Sequence, residues 1–382
     1  MRVLQIHNAY RHFGGEDVVV EEEARLLRQA GHRVRQHTVR NPEGDIEATQ
    51  KLVRAPWSPA SRSVVSEIVE ETKPDVAHVH NTWFTLTPSI FAALSDRAVP
   101  TVMSLHNYRL MCLNGLLLRN GEPCTLCVGR GPGPGVRYRC YRDSLAASAM
   151  AGLTLSLNRV RDTWASVDLY LANSDFARNT YITSGLAPEK VQVKPNFVSD
   201  PGPRPIPPDE SNVVLYVGRL SPEKGAQFAC DLWEESGPSD LVLRVIGEGP
   251  ERERLESSHP NVEFVGHMPR SEVTEEMLRA RALLFPSLTY ESCPLVLVEA
   301  FAAGLPFLTN RRGAMAELAG LMDPEWARQP NDADDWARGL KLIRDDLRVS
   351  GAGRAARSAY EAHLTPARSL SRMEEIYARA IN

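Results

Sequence analysis

The sequence predicts an α/β protein of two domains, and three observations support this fold class. At 382 residues, the chain is long enough to form two separate hydrophobic cores. Short apolar runs typical of buried strands alternate with helical patterns, which is the order of a parallel sheet covered by helices. Five prolines without a periodic pattern indicate a stiff linker at 200–211. The predicted segments are a first domain at 1–199, the linker at 200–211, a second domain at 212–364 and a final helix at 365–382.

The first domain is expected to open with a strand, a helix and a second strand. Residues 3–6 form an apolar run, a helical pattern extends from about 18 to 30, and residues 33–39 alternate as a strand. Gly14 and Gly15 lie in the loop before the helix, where a backbone without side chains is able to approach a ligand. A flexible turn explains the glycine pair equally well, because the full dinucleotide-binding spacing is missing.

Two further apolar strands, at 75–79 and 100–105, lead into His80 and His106. Ligands of open α/β sheets bind beyond the carboxyl ends of the strands, so both histidines are placed to meet one. For His80, a structural role and a functional role are equally consistent with the sequence.

The segment 107–142 holds four of the six cysteines: Cys112, Cys124, Cys127 and Cys140. Cys124 and Cys127 form a C-x-x-C pair, and two outlying thiols would complete a tetrahedral structural zinc site. Unpaired thiols, a redox pair and a disulfide are the alternatives. The glycine- and proline-rich run at 129–135 is expected to be a solvent-exposed loop.

A small-residue apolar stretch at 145–157 predicts a helix that is either buried or lies at a membrane interface. We favour the buried helix, because the stretch lacks basic residues along a polar face. Strands at 167–172 and 191–193 follow, and they complete the first domain.

In the second domain, the strand at 213–217 leads directly into Arg219 and Lys224. A guanidinium forks onto phosphate oxygens, and an ammonium adds a point charge. Together they would neutralise a diphosphate leaving group as its charge develops. The D-x-D sequence at 332–334 opens a helical pattern, so helix capping explains it better than metal binding.

An apolar strand at 282–285 is followed by a loop and by a helix that Pro294 begins and Gly304 closes. The helix carries one charged residue and is apolar nearly all round. We therefore expect it to be buried.

Two carboxylates flank the start of this helix. Glu291 lies in the preceding loop, and Glu299 lies about one and a half turns inside the helix, where burial requires a partner. The N–H groups near Leu295 and Val296 point out of the helix start and offer an anion site. Phosphates would bind the amides, and the carboxylates would accept hydrogen bonds from hydroxyl groups.

These motifs resemble one family of enzymes. The spacing of Glu291 and Glu299 is similar to the E-x7-E motif of retaining glycosyltransferases of the GT-B fold, commonly called family 4. The segment 218–225 is similar to the family's G-R-x-x-x-x-K-G phosphate clamp. The resemblance implies two Rossmann-like domains that face each other across a cleft, with the C-terminal helix crossing back to the first domain. It also implies that Gly15 lines the active site and that His106 contacts the donor sugar near the reacting carbon.

The resemblance implies an enzyme that moves a sugar from a UDP-, GDP- or ADP-sugar to an acceptor hydroxyl, with retention of configuration and without a catalytic metal. Arg219 and Lys224 would hold the diphosphate, Glu291 the sugar and Glu299 the ribose. The acceptor would belong to polysaccharide, glycolipid or natural-product biosynthesis. A sugar-nucleotide epimerase and a non-catalytic sugar-nucleotide-binding protein are the alternatives.

Composition and charge limit which binding partners and which cellular compartment we expect for this protein. A net charge of −4 gives no electrostatic case for nucleic acid. No apolar run approaches the roughly 20 residues that cross a bilayer, and the N-terminus lacks a signal-peptide pattern. Six cysteines in so long a chain do not indicate a disulfide scaffold, so we expect a cytoplasmic protein. A peripheral membrane contact stays open.

Overall fold

Within residues 1–11 and 14–382, the part of the chain that the computed structural model describes, the strands form two six-stranded parallel sheets and one short hairpin. The side chains of residues 45 and 46 lie outside this description. The chain divides into two units, each with one of the large sheets. The first unit comprises Met1–Leu117, Cys124–Pro195 and Ala367–Asn382, and the second comprises Leu118–Pro123 and Asn196–Pro366.

The first unit contains the sheet β2-β1-β3-β4-β7-β8, in which every neighbouring pair is parallel. The first eight strands of the chain are β1 (Arg2–Ala9), β2 (Arg33–Arg40), β3 (Val76–Asn81), β4 (Thr101–Leu105), β5 (Leu118–Arg119), β6 (Glu122–Pro123), β7 (Leu169–Ala172) and β8 (Val191–Val193). The antiparallel pair β5-β6 is the hairpin. Every residue of β3 and β4 is buried, as expected of a parallel sheet covered on both faces.

The second unit contains the sheet β11-β10-β9-β12-β13-β14, which is also parallel throughout. Its strands are β9 (Val213–Val217), β10 (Val242–Ile246), β11 (Val262–Gly266), β12 (Ala282–Phe285), β13 (Phe307–Asn310) and β14 (Ala327–Arg328). One apolar core joins these strands to the helices around them. The α/β fold class with two parallel sheets is thereby confirmed.

Fifteen α-helices lie in the described part of the chain. They are α1 (Gly15–Gln29), α2 (Asp45–Val53), α3 (Pro59–Thr72), α4 (Ser89–Ser95), α5 (Gly133–Arg137), α6 (Leu145–Val160), α7 (Asp175–Thr183), α8 (Ala226–Ser236), α9 (Arg252–Ser258), α10 (Arg270–Arg279), α11 (Leu295–Ala302), α12 (Gly313–Met322), α13 (Ala333–Arg344), α14 (Asp346–Ala359) and α15 (Pro366–Ile381). Asp332 caps α13 by accepting a hydrogen bond from the Asp335 amide at 2.9 Å, so the D-x-D sequence acts as a helix cap.

The last helix, α15, belongs almost entirely to the first unit, as the family resemblance implied. The buried Tyr377 hydroxyl lies 2.7 Å from His78 Nδ1 in β3. On the same helix, Glu374 Oε1 lies 2.9 Å from His32 Nε2. The C-terminal segment is thus fixed by hydrogen bonds to the N-terminal part of the chain.

The glycine- and proline-rich run was expected to be a solvent-exposed loop, and this expectation was wrong in part. Its C-terminal half forms α5, in which Gly135 is buried. A Cβ atom at Gly135 would lie 2.8 Å from the Leu113 side chain, so only glycine allows this approach. Close packing of the glycines therefore builds structure where the composition indicated a loop.

Helix α6 also differs from the expectation of a buried helix. Its buried face consists of small or polar residues, namely Ser148, Ala151, Gly152, Thr154 and Asn158. Its opposite face exposes Leu145, Leu153 and Val160. At Gly152, Val136 of α5 fills the space that a side chain would occupy, so this part of the face requires a glycine. Within the described residues, no helix combines the length and the apolar character that crossing a bilayer requires.

Candidate functional site

Lys224 and Glu291 form an ion pair at the carboxyl ends of the strands in the second unit. Lys224 ends the 3-10 turn Pro222–Lys224 that follows β9, and Glu291 lies in the loop between β12 and α11. Lys224 Nζ and Ser287 Oγ both donate to Glu291 Oε1, each at 2.7 Å. Sequence reasoning missed Ser287, although its position just after β12 placed it at the edge where ligands bind.

The two charges of this pair stabilise each other. Burial alone would raise the pKa of Glu291, but the Lys224 charge and the hydroxyl donors hold it below its ordinary value. Burial opposes the charge of Lys224 in the same way, and Glu291 outweighs that effect and raises the pKa of the ammonium. Both groups are therefore ionised at neutral pH.

A glycine fixes the loop that carries Lys224. Gly225 has a φ of +73°, and a Cβ atom there would lie 2.3 Å from the Pro286 carbonyl oxygen. Any other residue would strain the backbone and push the turn away from the loop that holds Glu291. The final glycine of the predicted G-R-x-x-x-x-K-G clamp is thus required sterically at position 225.

The guanidinium of Arg219 is placed differently from Lys224. Arg219 is exposed, and its guanidinium forms no hydrogen bond or ion pair with any residue that the structure describes. Its charge is close enough to oppose the ionisation of Lys224. Arg219 is therefore an exposed cation that lies near Lys224, a cation already paired with Glu291.

Helix α11 begins and ends as the sequence predicted. Pro294 is its N-cap, and Gly304 follows its last turn with a φ of +58°. The first amides with backbone acceptors are those of Leu297 and Val298, which both donate to the Pro294 carbonyl. The amides of Leu295 and Val296 precede them, at the helix start where N–H groups point outward.

Glu299 has the partner that its burial required. Arg270 Nε, at the start of α10, donates to Glu299 Oε1 at 2.8 Å. Burial raises the pKa of Glu299 although the Arg270 charge opposes this shift. Arg270 itself was not predicted from the sequence, because nothing in its local pattern distinguishes it from a solvated arginine.

In the first unit, four ring systems meet at the ends of β3 and β4. The His78 and His80 ring centroids lie 4.1 Å apart, and the His80 ring stacks on His106 at 5.3 Å. His80 Nδ1 lies 3.0 Å from His106 Nε2. The fourth ring is Tyr377, in contact with His78. The structure thus brings the predicted residue His106 together with His80.

A buried ion pair lies beside these histidines. Lys194, just after β8, donates to Glu23 Oε1 on α1 at 2.5 Å, and both side chains are almost fully buried. Glu23 Oε2 lies 3.7 Å from His78 Nδ1 and from His80 Nε2. Among the described residues, Glu23, His78 and His80 could hold a metal ion. The Lys194 ammonium, however, already neutralises the Glu23 carboxylate. The position of Glu23 on the apolar face of α1 was the signal that could have revealed it.

The histidines of this cluster are neutral. Burial, together with the Lys194 charge, lowers the pKa of His78 to about 4 against the opposing effect of Glu23. Burial and the neighbouring cationic groups hold the pKa values of His80 and His106 well below the ordinary range. His106 is only partly buried, so it combines a neutral ring with access to a ligand.

Gly15 is the exposed first residue of α1. Its neighbour Glu16 is partly buried, and burial together with the Asp17 charge raises the pKa of Glu16 to about 8. Asn107 Nδ2 donates to Glu16 Oε2 at 3.3 Å. The first loop therefore adds a carboxyl group that is largely protonated at neutral pH, which sequence reasoning did not identify.

The predicted zinc ligands Cys112, Cys124, Cys127 and Cys140 all lie in the first unit. None of the six cysteines, all in the described part of the chain, forms a disulfide bond. Burial raises the pKa of the Cys127 thiol to about 11, and the three other cysteines add to this shift. Among the described residues, the four thiols form no group whose ligand atoms all lie within 4.8 Å of one another.

Comparison with known families identifies the chain. Residues 13–200 match the model of Glycosyltransferase Family 4, and residues 203–357 match the model of Glycosyl transferases group 1. The chain belongs to the group 1 glycosyltransferases of family 4. The two matches divide this glycosyltransferase family member close to the boundary between its two units.

Curated relatives of this family member match it over different lengths. An exopolysaccharide phosphotransferase of Streptomyces coelicolor is 30% identical over 45% of this chain and 19% of its own length. A 2-deoxystreptamine glucosyltransferase of Streptomyces kanamyceticus is 28% identical over 37% of this chain and 38% of its own. In Arabidopsis thaliana, one component of the phosphatidylinositol N-acetylglucosaminyltransferase is 25% identical over 89% of this chain and 74% of its own. The chain thus spans less than two fifths of both Streptomyces relatives.

Among solved structures, Anabaena HepE in complex with UDP is similar to this family member with a TM-score of 0.70. The alignment covers 99% of this chain and 100% of that protein at 16% identity. HepE has also been solved with UDP-glucose. At this identity the likeness shows the fold, GT-B with two Rossmann-like domains.

We expect Lys224 and Glu291 to stabilise the family member jointly. In a double-mutant cycle of Lys224→Met and Glu291→Gln, urea unfolding at pH 7 should give a favourable coupling of about 1 kcal/mol, because each single change leaves a half-buried charge unpaired. Lys341→Met, an exposed lysine of the same unit, should change stability by less than about 0.5 kcal/mol.

The coupling should depend on pH in a defined direction. The pKa of Glu291 is depressed below 4.5, so its contribution is complete above that value and is lost as the pH falls through the folded-state pKa. The pKa of Lys224 is raised above 10.5, so its contribution is lost only as the pH rises beyond that value. A coupling that is the same at pH 3 and pH 7 would contradict the ion pair.

Proposed function

We propose that this family member is a retaining, metal-independent glycosyltransferase that moves a sugar from a nucleoside diphosphate sugar to an acceptor hydroxyl. The observation that carries the proposal is the charged group of the second unit: the Lys224–Glu291 pair beside the exposed Arg219. The UDP and UDP-glucose complexes of HepE support a UDP-sugar as the donor. GDP- and ADP-sugars remain candidates.

The diphosphate would bind the cations of the second unit. Arg219 is exposed and able to fork onto phosphate oxygens, while Lys224 would exchange part of its contact with Glu291 for the phosphate. The amides of Leu295 and Val296 would donate to the same oxygens. These contacts strengthen as charge develops on the leaving group, so they favour the transition state over the bound donor.

Both carboxylates of the E-x7-E spacing would accept hydrogen bonds from hydroxyl groups, Glu291 from the sugar and Glu299 from the ribose. Each is already bound to a cation, Lys224 or Arg270, which suits a hydrogen-bond acceptor better than a covalent nucleophile. We therefore propose displacement on one face of the sugar. The bond from C1 to the phosphate oxygen breaks, the acceptor oxygen bonds to C1 on the same face, and the leaving phosphate takes the acceptor proton.

In the first unit, His106 would lie near the reacting carbon and Gly15 would line the site. A neutral imidazole suits a place where positive charge develops on the sugar, because a second positive charge would raise the energy of that state. Donor conversion without an acceptor would indicate an epimerase instead. Binding without turnover would indicate a sugar-nucleotide-binding protein.

We expect UDP to raise the melting temperature more than GDP or ADP does, since a ligand that binds only the folded protein stabilises it. With the matching sugar nucleotide and an acceptor, NMR should show a product that keeps the anomeric configuration of the donor. Lys224→Met should weaken nucleotide binding about tenfold or more, and Lys341→Met should leave it unchanged. An inverted anomeric carbon would overturn the retaining mechanism.

We propose further that the acceptor is presented at a membrane surface, and that the face of α6 meets anionic lipid. Leu145, Leu153 and Val160 lie exposed along this face. Residues 107–161 carry eight arginines against two acidic residues, in a chain with a net charge of −4. Six of these arginines are exposed: Arg130, Arg137, Arg139, Arg142, Arg159 and Arg161. Apolar anchors with arginines around them are typical of surfaces that bind anionic headgroups.

In a flotation experiment, we expect the protein to rise with vesicles that contain phosphatidylglycerol. With vesicles of pure phosphatidylcholine, it should remain in the bottom fraction. Leu153→Glu combined with Val160→Glu should abolish flotation. The matched control is Leu347→Glu, which changes a leucine of the second unit that is as exposed as Val160. Equal binding to neutral vesicles, or flotation that the double variant leaves unchanged, would overturn the proposed surface.

We propose that Cys112, Cys124, Cys127 and Cys140 bind one structural zinc ion. The effect of Cys112, Cys124 and Cys140 on the pKa of Cys127 supports this assignment, because it requires the four thiols to lie in one region of the unit. Binding would draw the sulfur atoms together and convert the thiols to thiolates, which zinc favours. No catalytic cofactor is part of the proposed reaction.

Metal analysis of the purified protein should find about one zinc per chain. Cys127→Ser should lose the zinc and lower the melting temperature, whereas Cys230→Ser, which changes a buried cysteine of the second unit, should retain it. A folded protein without zinc, whose stability EDTA and added zinc leave unchanged, would refute the site.

A further inference from the structure

A directed series of hydrogen bonds runs from the surface of the first unit to His106. Arg28 Nη2 lies 2.8 Å from Gln36 Oε1, and Gln36 Nε2 lies 2.8 Å from Gln5 Oε1. Gln5 Nε2 lies 3.1 Å from His80 Nε2, and His80 Nδ1 lies 3.0 Å from His106 Nε2. Each side chain between Arg28 and His106 therefore has one neighbour on each side in the series.

The donor and the acceptor of every bond can be assigned from the groups that contact Gln36 and Gln5. Arg28 is a guanidinium and only donates, so the atom of Gln36 that faces it must be the oxygen. This places the Gln36 amide nitrogen on Gln5 Oε1. Independently, Gln5 Nε2 lies 3.1 Å from the Val20 carbonyl, which only accepts. Both constraints assign the Gln5 nitrogen as the donor to His80.

The orientation of Gln5 decides which nitrogen of each histidine carries the proton. His80 Nε2 accepts from Gln5, so in the neutral ring the proton lies on Nδ1. His80 Nδ1 therefore donates, and His106 Nε2 accepts. The proton of His106 is left on its own Nδ1. Glu23 Oε2, at 3.7 Å from His80 Nε2, is too far away to reverse this order by a hydrogen bond.

We propose that Gln5 is a positioning residue that acts through His80 to hold His106 as the neutral Nδ1–H tautomer. This inference rests on the proposed function for the identity of the ligand that His106 meets. With Nε2 occupied by His80 and Nδ1 protonated, neither ring nitrogen of His106 is left to accept the proton of the acceptor hydroxyl. The fixed tautomer thus assigns the proton transfer to another group, in keeping with the leaving phosphate.

The test combines long-range ¹H–¹⁵N NMR of the histidine rings with steady-state kinetics. His106 signals are assigned by comparison with His106→Gln. In the wild-type protein we expect a protonated Nδ1 and an unprotonated Nε2 on both His80 and His106. Gln5→Met should remove this preference in His106 and lower kcat about tenfold, with less than about a twofold change in KM for the donor.

The matched control is Tyr377→Phe, which removes a buried hydrogen bond to His78 from the same cluster but leaves the series intact. It should preserve the His106 tautomer. A wild-type His106 protonated on Nε2 would overturn the proposal, and this outcome does not depend on whether Gln5→Met folds. An unchanged His106 tautomer in folded Gln5→Met would also overturn it.

The kinetic outcomes separate this inference from the proposed function. If no sugar nucleotide is converted by the wild-type protein, the proposed function fails, while the NMR result still decides whether Gln5 fixes the tautomer. If the tautomer changes in Gln5→Met but kcat does not, the positioning role is overturned and glycosyl transfer stands.

Discussion

Every strand of the two six-stranded sheets is parallel, and the placement of the candidate site residues in each unit depends on this constraint. Parallel strands require crossover helices on both faces, so their side chains are buried and their carboxyl ends meet at one edge. In the first unit that edge carries His80 and His106, and in the second it carries Lys224 and Glu291. Polar groups inside such a sheet need partners, which is why His78 binds both Tyr377 and Ser104.

The buried pair of Glu23 and Lys194 sets the charge around the histidines of the first unit. Removing two charges from water is costly, and an ion pair in such a place stabilises the fold little by itself. Its effect is local instead: the Lys194 ammonium fills the position beside the carboxylate that a protonated histidine would otherwise take. With the charge already balanced, burial keeps His78, His80 and His106 neutral.

The sequence was sufficient for features that depend on local rules. Gly304 and Asp332 were recognised because helix ends have fixed backbone requirements, and strands were found because burial on two faces leaves continuous apolar runs. The pairing of Glu23 with Lys194 could not be predicted, since the two residues lie 171 positions apart and no local pattern links them. Helix α6 was misjudged for a related reason: Gly152 lies against Val136 of α5, which leaves no space for a side chain there. Such complementarity appears only in three dimensions.

The candidate site residues of the two units differ in how they are able to respond to a charged ligand. Lys224 and Glu291 remain partly exposed and are bound to each other by one contact, so an arriving phosphate is able to compete for the ammonium at moderate cost. Lys194 and Glu23 are almost completely buried, and no such exchange is available to them. In the proposed reaction, the charged diphosphate would therefore bind to the second unit. The first unit offers neutral, directed hydrogen-bonding groups, and their direction is set as far away as Arg28, on the exposed face of α1.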